Sequence, residues 1–332
     1  MALKDILSRL NSKHINGSVY EDITKERIQN DLPRLQKLIA YWRWYPDKFV
    51  DYMCSLNPDN TFHFFYYQRV FLRAVMRHKY VYCVFCRAYS KSFLTAMASM
   101  IRCILYPGSQ IFVASAGKEQ SAQILSSKVT EICRMIPAFH KEILWDVRGS
   151  KGTVRTRQTK DSVVYTFTNG SSLENVAMTD STRGRRFTGG VLEECASMDQ
   201  SKLNEILLPT LNVSRKVNGI TDPDEVANQS TVYITTAGYK STFSYDKLIQ
   251  TLCQMVARPD QAIVLGGTFR TPIMEGLLDR NFVTNLQLDG TFNEASFDRE
   301  YKILLYSINA LNCWELLDIR TISSQDFIYI IK

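Results

Sequence analysis

The stretch Val81-Tyr-Cys-Val-Phe-Cys-Arg-Ala-Tyr-Ser-Lys-Ser92 decides the reading of this chain. A short apolar run ends in a small loop, the loop ends in Lys91-Ser92, and Phe93 to Leu105 follows with helical spacing. Leu94, Met97, Ile101, Ile104 and Leu105 can share one helical face, and Pro107-Gly108 stops the helix. Strand, loop, Lys-Ser and helix together form the layout of a nucleotide-phosphate cradle. N–H groups at the helix start face an anion, a lysine reaches the outer phosphates, and a hydroxyl holds Mg²⁺. The usual cradle has glycine immediately before the lysine and another at the loop start. Here those places hold Ser90 and Phe85, so the segment also reads as a plain strand-turn-helix with an exposed lysine.

Outside this stretch the chain is ordinary globular material. It has 332 residues, 45% of them hydrophobic and 22% charged, enough for one large or two modest domains. No apolar run is long enough to span a membrane, and the start, Met-Ala-Leu-Lys-Asp-Ile, lacks the shape of a signal peptide. These features predict a soluble, intracellular protein with no membrane partner. A net charge of +7 is compatible with a polyanionic partner. Basic clusters occur at Arg155-Thr-Arg157 and at Arg183-Gly-Arg-Arg186. Of the eight cysteines, Cys83 and Cys86 form one CxxC, and no second CxxC completes a zinc site. Buried thiols acting as small hydrophobes explain them better than a metal.

Residues 1–60 read as a helical segment, and Phe64 to Met76 as a buried helix. After the Lys-Ser helix, strands are expected at Gln110–Ser115, Ser162–Thr168, Thr231–Thr236 and Ala262–Leu265. Helices are expected at Glu119–Ile136 and Phe243–Val256. Asn169-Gly170 marks a hairpin. This alternation predicts an α/β fold with a mostly parallel sheet flanked by helices, whose ligand lies at the carboxyl ends of its strands. The Lys-Ser loop, Glu193-Glu194 and Thr235-Thr-Ala-Gly238 all occupy such positions.

Phosphoryl transfer to water needs a cradle, a divalent cation, a carboxylate that orients water and a cation for the transition state. Lys91 and Ser92 are candidates for the cradle lysine and the metal hydroxyl. Glu193 suits the metal shell and Glu194 the attacking water. A pair of solvated loop acids is the competing reading.

With these residues in hand, the stretch from about 60 to 270 resembles the ATPase domain of the phage large terminase subunit, a DNA-packaging motor. The resemblance rests on an ordered series. Tyr67-Gln68 is similar to the family's adenine-recognition glutamine. Cys86-Arg-Ala-Tyr-Ser-Lys-Ser92 resembles its variant phosphate loop (Walker A). Asn169-Gly-Ser-Ser172, Thr182-Arg-Gly184 and the acidic strand end Glu193-Glu194 (Walker B) follow in the family's order. Thr235-Thr-Ala-Gly238 resembles the motif that senses the γ-phosphate.

The resemblance implies an ASCE-type P-loop NTPase that binds ATP and Mg²⁺. Gln68, Arg87, Ser90, Lys91, Ser92 and Thr236 would bind nucleotide, and Ser92 and Glu193 the metal. Glu194 would be catalytic, with Arg183 as an arginine finger. Arg183 could instead grip the DNA backbone, and Arg87 could contact phosphate or pair with a carboxylate. Implied partners are double-stranded DNA, the portal protein, the small terminase subunit and further copies in a ring. The implied place is the host cytoplasm, transiently at the procapsid portal. A remnant that binds nucleotide or DNA without driving packaging is the alternative.

Three departures stand out. Glu193 replaces the usual Asp, Ser90 replaces a glycine, and few residues follow Tyr301. The implied domains are a helical segment at 1–60, the ATPase domain at 61–265, and a linker or lid at 266–332. That last stretch would be the start of a nuclease domain, and Asp289, Asp298 and Asp318 do not complete a nuclease pattern, so no nuclease activity is expected from this chain.

Overall fold

The computed structural model describes residues 25–145, 156–217, 219–221, 225–226 and 228–303. Residues 1–24, Arg155 and the stretch from 304 onward, with Asp318, lie outside the described residues. Two compact units are present, one ending at Tyr45 and one beginning at Pro46. The described part of the first is helix α1 (Lys25–Trp44).

The second unit opens with α2 (Pro46–Ser55) and α3 (Tyr66–Arg77). These two helices pack together, which puts the boundary between units ahead of residue 60. Their contact is pinned by charge. Asp47, fully buried, accepts hydrogen bonds from Arg73 at 2.7 and 2.8 Å and from Arg69 at 3.2 Å. Burial alone would raise the Asp47 carboxyl, but the two guanidinium groups hold it below the usual carboxylate range.

The central sheet has eight strands. These are β1 (Tyr80–Phe85), β2 (Gln110–Ala114), β3 (Arg157–Gln158), β4 (Val163–Thr166), β5 (Ser172–Val176), β6 (Gly189–Glu193), β9 (Ser230–Thr235) and β10 (Ala262–Gly267). A separate two-stranded ribbon holds β7 (Lys216–Val217) and β8 (Ile220–Thr221). The spatial order is β10-β1-β9-β6-β2-β5-β4-β3, parallel from β10 to β5 and antiparallel beyond. β1, β6 and β9 are buried along nearly their whole length on both faces, as a parallel sheet covered by helices requires. β4 and β5 form the hairpin expected at Asn169-Gly170, with Gly170 at φ +81°.

Helices α4 (Lys91–Leu105), α5 (Lys118–Met135) and α6 (Phe243–Ala257) complete the crossovers. Two glycines permit close approach to the sheet. A Cβ on Gly190 would sit 2.2 Å from the Phe112 ring, and one on Gly267 would sit 2.1 Å from Tyr89. The β6 glycine therefore lets Phe112 lie across the strand, and the β10 glycine lets Tyr89 of the loop after β1 fold down.

After β10, α7 (Arg280–Leu288) and a helical turn at Glu294–Phe297 build a small apolar cluster. Val283, Phe297 and Tyr301 are its buried members, packed on Phe269 and Ile273. The chain then reaches back towards the end of β1.

Candidate active site

Sheet order brings together the carboxyl ends of β1, β9 and β6, with β9 lying between the other two. β1 delivers the loop Cys86–Ser90, β6 delivers Glu193-Glu194, and β9 delivers Thr235-Thr236. All three sequence motifs thus occupy one edge of the sheet.

The loop is tightly wound. Ala88 and Ser90 both have left-handed backbones, at φ +62° and +54°. Ser90, which stands where the usual cradle has glycine, takes a left-handed backbone that costs a serine about 1–2 kcal/mol. Packing holds the conformation in place. Tyr89 stacks on Phe85 with centroids 4.5 Å apart and leans on Tyr67 at 4.4 Å. Tyr67 donates its hydroxyl to Ser90 Oγ at 3.2 Å. Helix α4 then starts at Lys91, with the Leu94 N–H bonded to the Ser90 carbonyl at 2.9 Å. The first turn of such a helix directs its unsatisfied N–H groups into the loop.

Lys91 is mostly buried. Its ammonium donates to the Phe85 and Cys86 carbonyls at 3.3 and 3.1 Å and lies 3.7 Å from Glu194 Oε1. Ser92 Oγ donates to Glu193 Oε1 at 2.8 Å, and Thr95 Oγ1 donates to Glu193 Oε2 at 2.6 Å. Glu193 is 1% exposed, and burial pushes its carboxyl above the usual range while the two hydroxyls pull it back. Glu194 has φ +51°, a turn that carries its side chain away from its neighbour's. It is half-buried and faces Lys91. The two acids therefore differ sharply: one is sealed against hydroxyls of α4, and one is open beside the lysine.

A cavity of about 500 Å³ adjoins the loop, lined by Phe62, Phe65, Gln68, Ser90, Lys91 and Ser92 among others. Gln68 is buried and uses both ends of its amide within α3. Oε1 accepts the Phe65 N–H at 3.1 Å, and Nε2 donates to the Tyr67 hydroxyl at 3.3 Å.

The remaining candidates are placed as follows. Arg87 is exposed. Its side chain pairs with Glu300, and its N–H donates to the Glu300 carbonyl at 2.9 Å. Arg183 is half-exposed and bound within its own chain, to Asp180 at 2.8 Å and to the Glu205 carbonyl at 3.3 Å. Thr236 is half-buried, and its neighbour Thr235 makes the link to the acidic strand end by accepting the Ala196 N–H at 3.3 Å. Cys83 and Cys86 are buried thiols packed with β1. Among the described residues no group of three or more His, Cys, Asp or Glu side chains forms a metal centre.

Sequence reasoning missed Thr95 and Glu300, and within Thr235-Thr-Ala-Gly238 it singled out Thr236 rather than Thr235. Thr95 was within reach, since it lies three residues after Ser92 on the same helical face. Nothing local announces Glu300.

The donor set fits a hard divalent cation and a polyphosphate. A hydroxyl and a carboxylate stand side by side, and an ammonium and a helix amino end flank them. Among the described residues no helix is long and apolar enough to cross a membrane.

No protein-family model matches the chain, and no curated protein sequence matches it. Solved structures do. The HK97 bacteriophage large terminase aligns with a TM-score of 0.52 and 11% identity, over 73% of this chain and 50% of that one. The large terminase of a thermophilic bacteriophage in complex with ADP gives 0.50 and 12%, over 73% and 54%. The large terminase ATPase domain of Thermus phage P74-26 gives 0.49 and 16%, over 70% and 91%. The fold is therefore the α/β P-loop ATPase fold of phage large terminases. The chain spans about half the length of the first two of these proteins.

Proposed function

We propose that this chain is the ATPase motor of a viral terminase, hydrolysing ATP to drive double-stranded DNA into a procapsid. The observation that carries the reading is the bond between Ser92 on the Lys-Ser helix and Glu193 on β6. It joins, across 101 positions of sequence, the hydroxyl and the carboxylate that a nucleotide-bound cation needs.

In this account ATP lies along the start of α4. Its phosphates meet Lys91, the first-turn N–H groups and the backbone of Ser90, and its adenine lies in the cavity beside Gln68. Mg²⁺, when bound at Ser92 and Glu193, neutralises phosphate charge. Glu194 orients the attacking water and takes its proton, a role its open carboxylate suits better than the sealed Glu193. Lys91 leaves the loop carbonyls for the phosphates, where its positive charge is better matched. Arg87 exchanges Glu300 for phosphate. Thr236, next to the Thr235 link, carries the state of the phosphates to the acidic turn. Arg183 supplies the transition-state cation from a neighbouring subunit.

Double-stranded DNA would be held through its phosphates, since packaging must tolerate every sequence. The portal protein, the small subunit and a ring of copies are the partners this role requires, in the host cytoplasm and at the procapsid portal. A structure with a non-hydrolysable ATP analogue and Mn²⁺ tests the placement. Phosphate density at the start of α4 with metal beside Ser92 is expected, and density elsewhere contradicts it.

A further inference from the structure

The hydroxyl of Thr95 sits where an apolar residue would be expected. It lies in the middle of α4, fully buried, between Leu94 and Ala96, which are also fully buried. A mid-helix threonine usually returns its hydroxyl proton to the preceding turn. Thr95 instead commits it to Glu193 Oε2 at 2.6 Å. Its own carbonyl accepts the Ser99 hydroxyl at 2.8 Å. Ser92 and Thr95, one helical turn apart, thereby hold one carboxylate oxygen each.

The two ends of this clamp are not equivalent. Ser92 lies at the open start of the helix, and its hydroxyl keeps lone pairs for a cation while donating to Glu193. Thr95 is sealed, and can only hold Oε2. A glutamate has one more side-chain torsion than an aspartate, so an unheld one loses more freedom on binding a cation. We infer that Thr95 is a positioning residue for cation binding: it locks the Glu193 carboxylate so that Oε1, beside Ser92, is presented to the metal of a bound nucleotide. The inference rests on the nucleotide reading above.

The test is an equilibrium titration of the full chain with a fluorescent, non-hydrolysable ATP analogue, in EDTA and across Mg²⁺ concentrations. Thr95→Val keeps the shape and removes the hydroxyl. The Mg²⁺ concentration for half-maximal tight binding is expected to rise about 10–100-fold, the usual effect of losing a group that orients a metal ligand. Affinity in EDTA should stay unchanged, and Thr95→Ser should restore the wild-type Mg²⁺ response. A wild-type Mg²⁺ midpoint in Thr95→Val overturns the inference. So does an equal loss of affinity with and without metal, which would mark Thr95 as merely structural. Should the valine variant fail to fold, Thr95→Cys, a smaller side chain with only a weak donor, carries the same expectation at smaller size. A wild-type chain whose nucleotide binding gains nothing from Mg²⁺ overturns the nucleotide reading together with this one.

Discussion

Lys91 Nζ stands 3.7 Å from Glu194 Oε1, so the lysine at the start of α4 and the half-buried acid just after β6 already face each other. A nucleotide brings four or so negative charges into that gap, and the lysine has reason to turn towards them. Glu194 then remains as the open carboxylate next to the reacting phosphate. Glu194→Gln keeps the shape and loses the charge that orients and deprotonates water. Turnover should fall by about 10²–10⁴-fold while ATP affinity is retained or improved. Single-turnover hydrolysis with a parallel binding titration checks this. Unchanged turnover would move the role to another residue, with Glu193 the first to test.

Glu300 pairs with Arg87, the arginine proposed to reach phosphate. Glu300→Ala frees the guanidinium and removes a negative charge from the mouth of the loop. Nucleotide affinity should rise about two- to fivefold, the scale of an exposed ion pair worth up to about 1 kcal/mol. Arg87→Ala should weaken binding, and should cancel the effect of the Glu300 change when the two are combined. Affinity that ignores both variants would show that Arg87 does not touch the nucleotide.

Asp47 supports stability rather than chemistry. Asp47→Asn removes the buried charge that Arg73 and Arg69 face, while Arg69 keeps Asp51, and should cost about 1.5–3 kcal/mol in unfolding free energy. The sign of the pH effect follows from its depressed carboxyl. The contribution is complete above the ordinary aspartate range near pH 4. It is lost as pH falls through the lower folded-state value. Denaturant titrations of wild type and variant should therefore converge once the pH is below that folded-state value. A gap that persists undiminished there would contradict the assignment.

The sheet was legible where its strands are short apolar runs, as in β1, β2 and β10, whereas β5 and β6 hold too few apolar residues to announce themselves. The loop keeps its tight turn without the usual glycine before Lys91 for a physical reason. Ser90 adopts the left-handed backbone at φ +54°, held by Tyr67 and Tyr89. What could not be read was the pairing of side chains. Which of two adjacent acids turns inward depends on the left-handed turn at Glu194, a property of the folded backbone. Arg87 and Glu300 meet across 213 positions, beyond any local pattern. Gln68 was legible as a residue, but not its habit of capping its own helix through Phe65.

Arg183 is expected to act between subunits. Its bonds to Asp180 and Glu205 keep it half-exposed, where a neighbour could receive it. Such an arginine supplies about 10³–10⁵ in rate. Mixing Arg183→Ala protein with Lys91→Ala protein should therefore restore part of the lost ATPase activity, because a working arginine from one variant meets a working loop on the other. Activity per chain should also rise with concentration. No recovery in a mixture shown to form mixed assemblies would place Arg183 on its own chain's nucleotide or on DNA.

The central claim is that the Lys91-Ser92 loop and the β6 acids hydrolyse ATP. Mg²⁺-dependent phosphate release from ATP by the purified chain, beside its Lys91→Ala variant, tests it most directly. The account predicts turnover that requires Mg²⁺, disappears in Lys91→Ala, and is lost in Glu194→Gln with nucleotide binding intact. Turnover that is absent from wild type in every assembly state, or that Lys91→Ala leaves untouched, would contradict it.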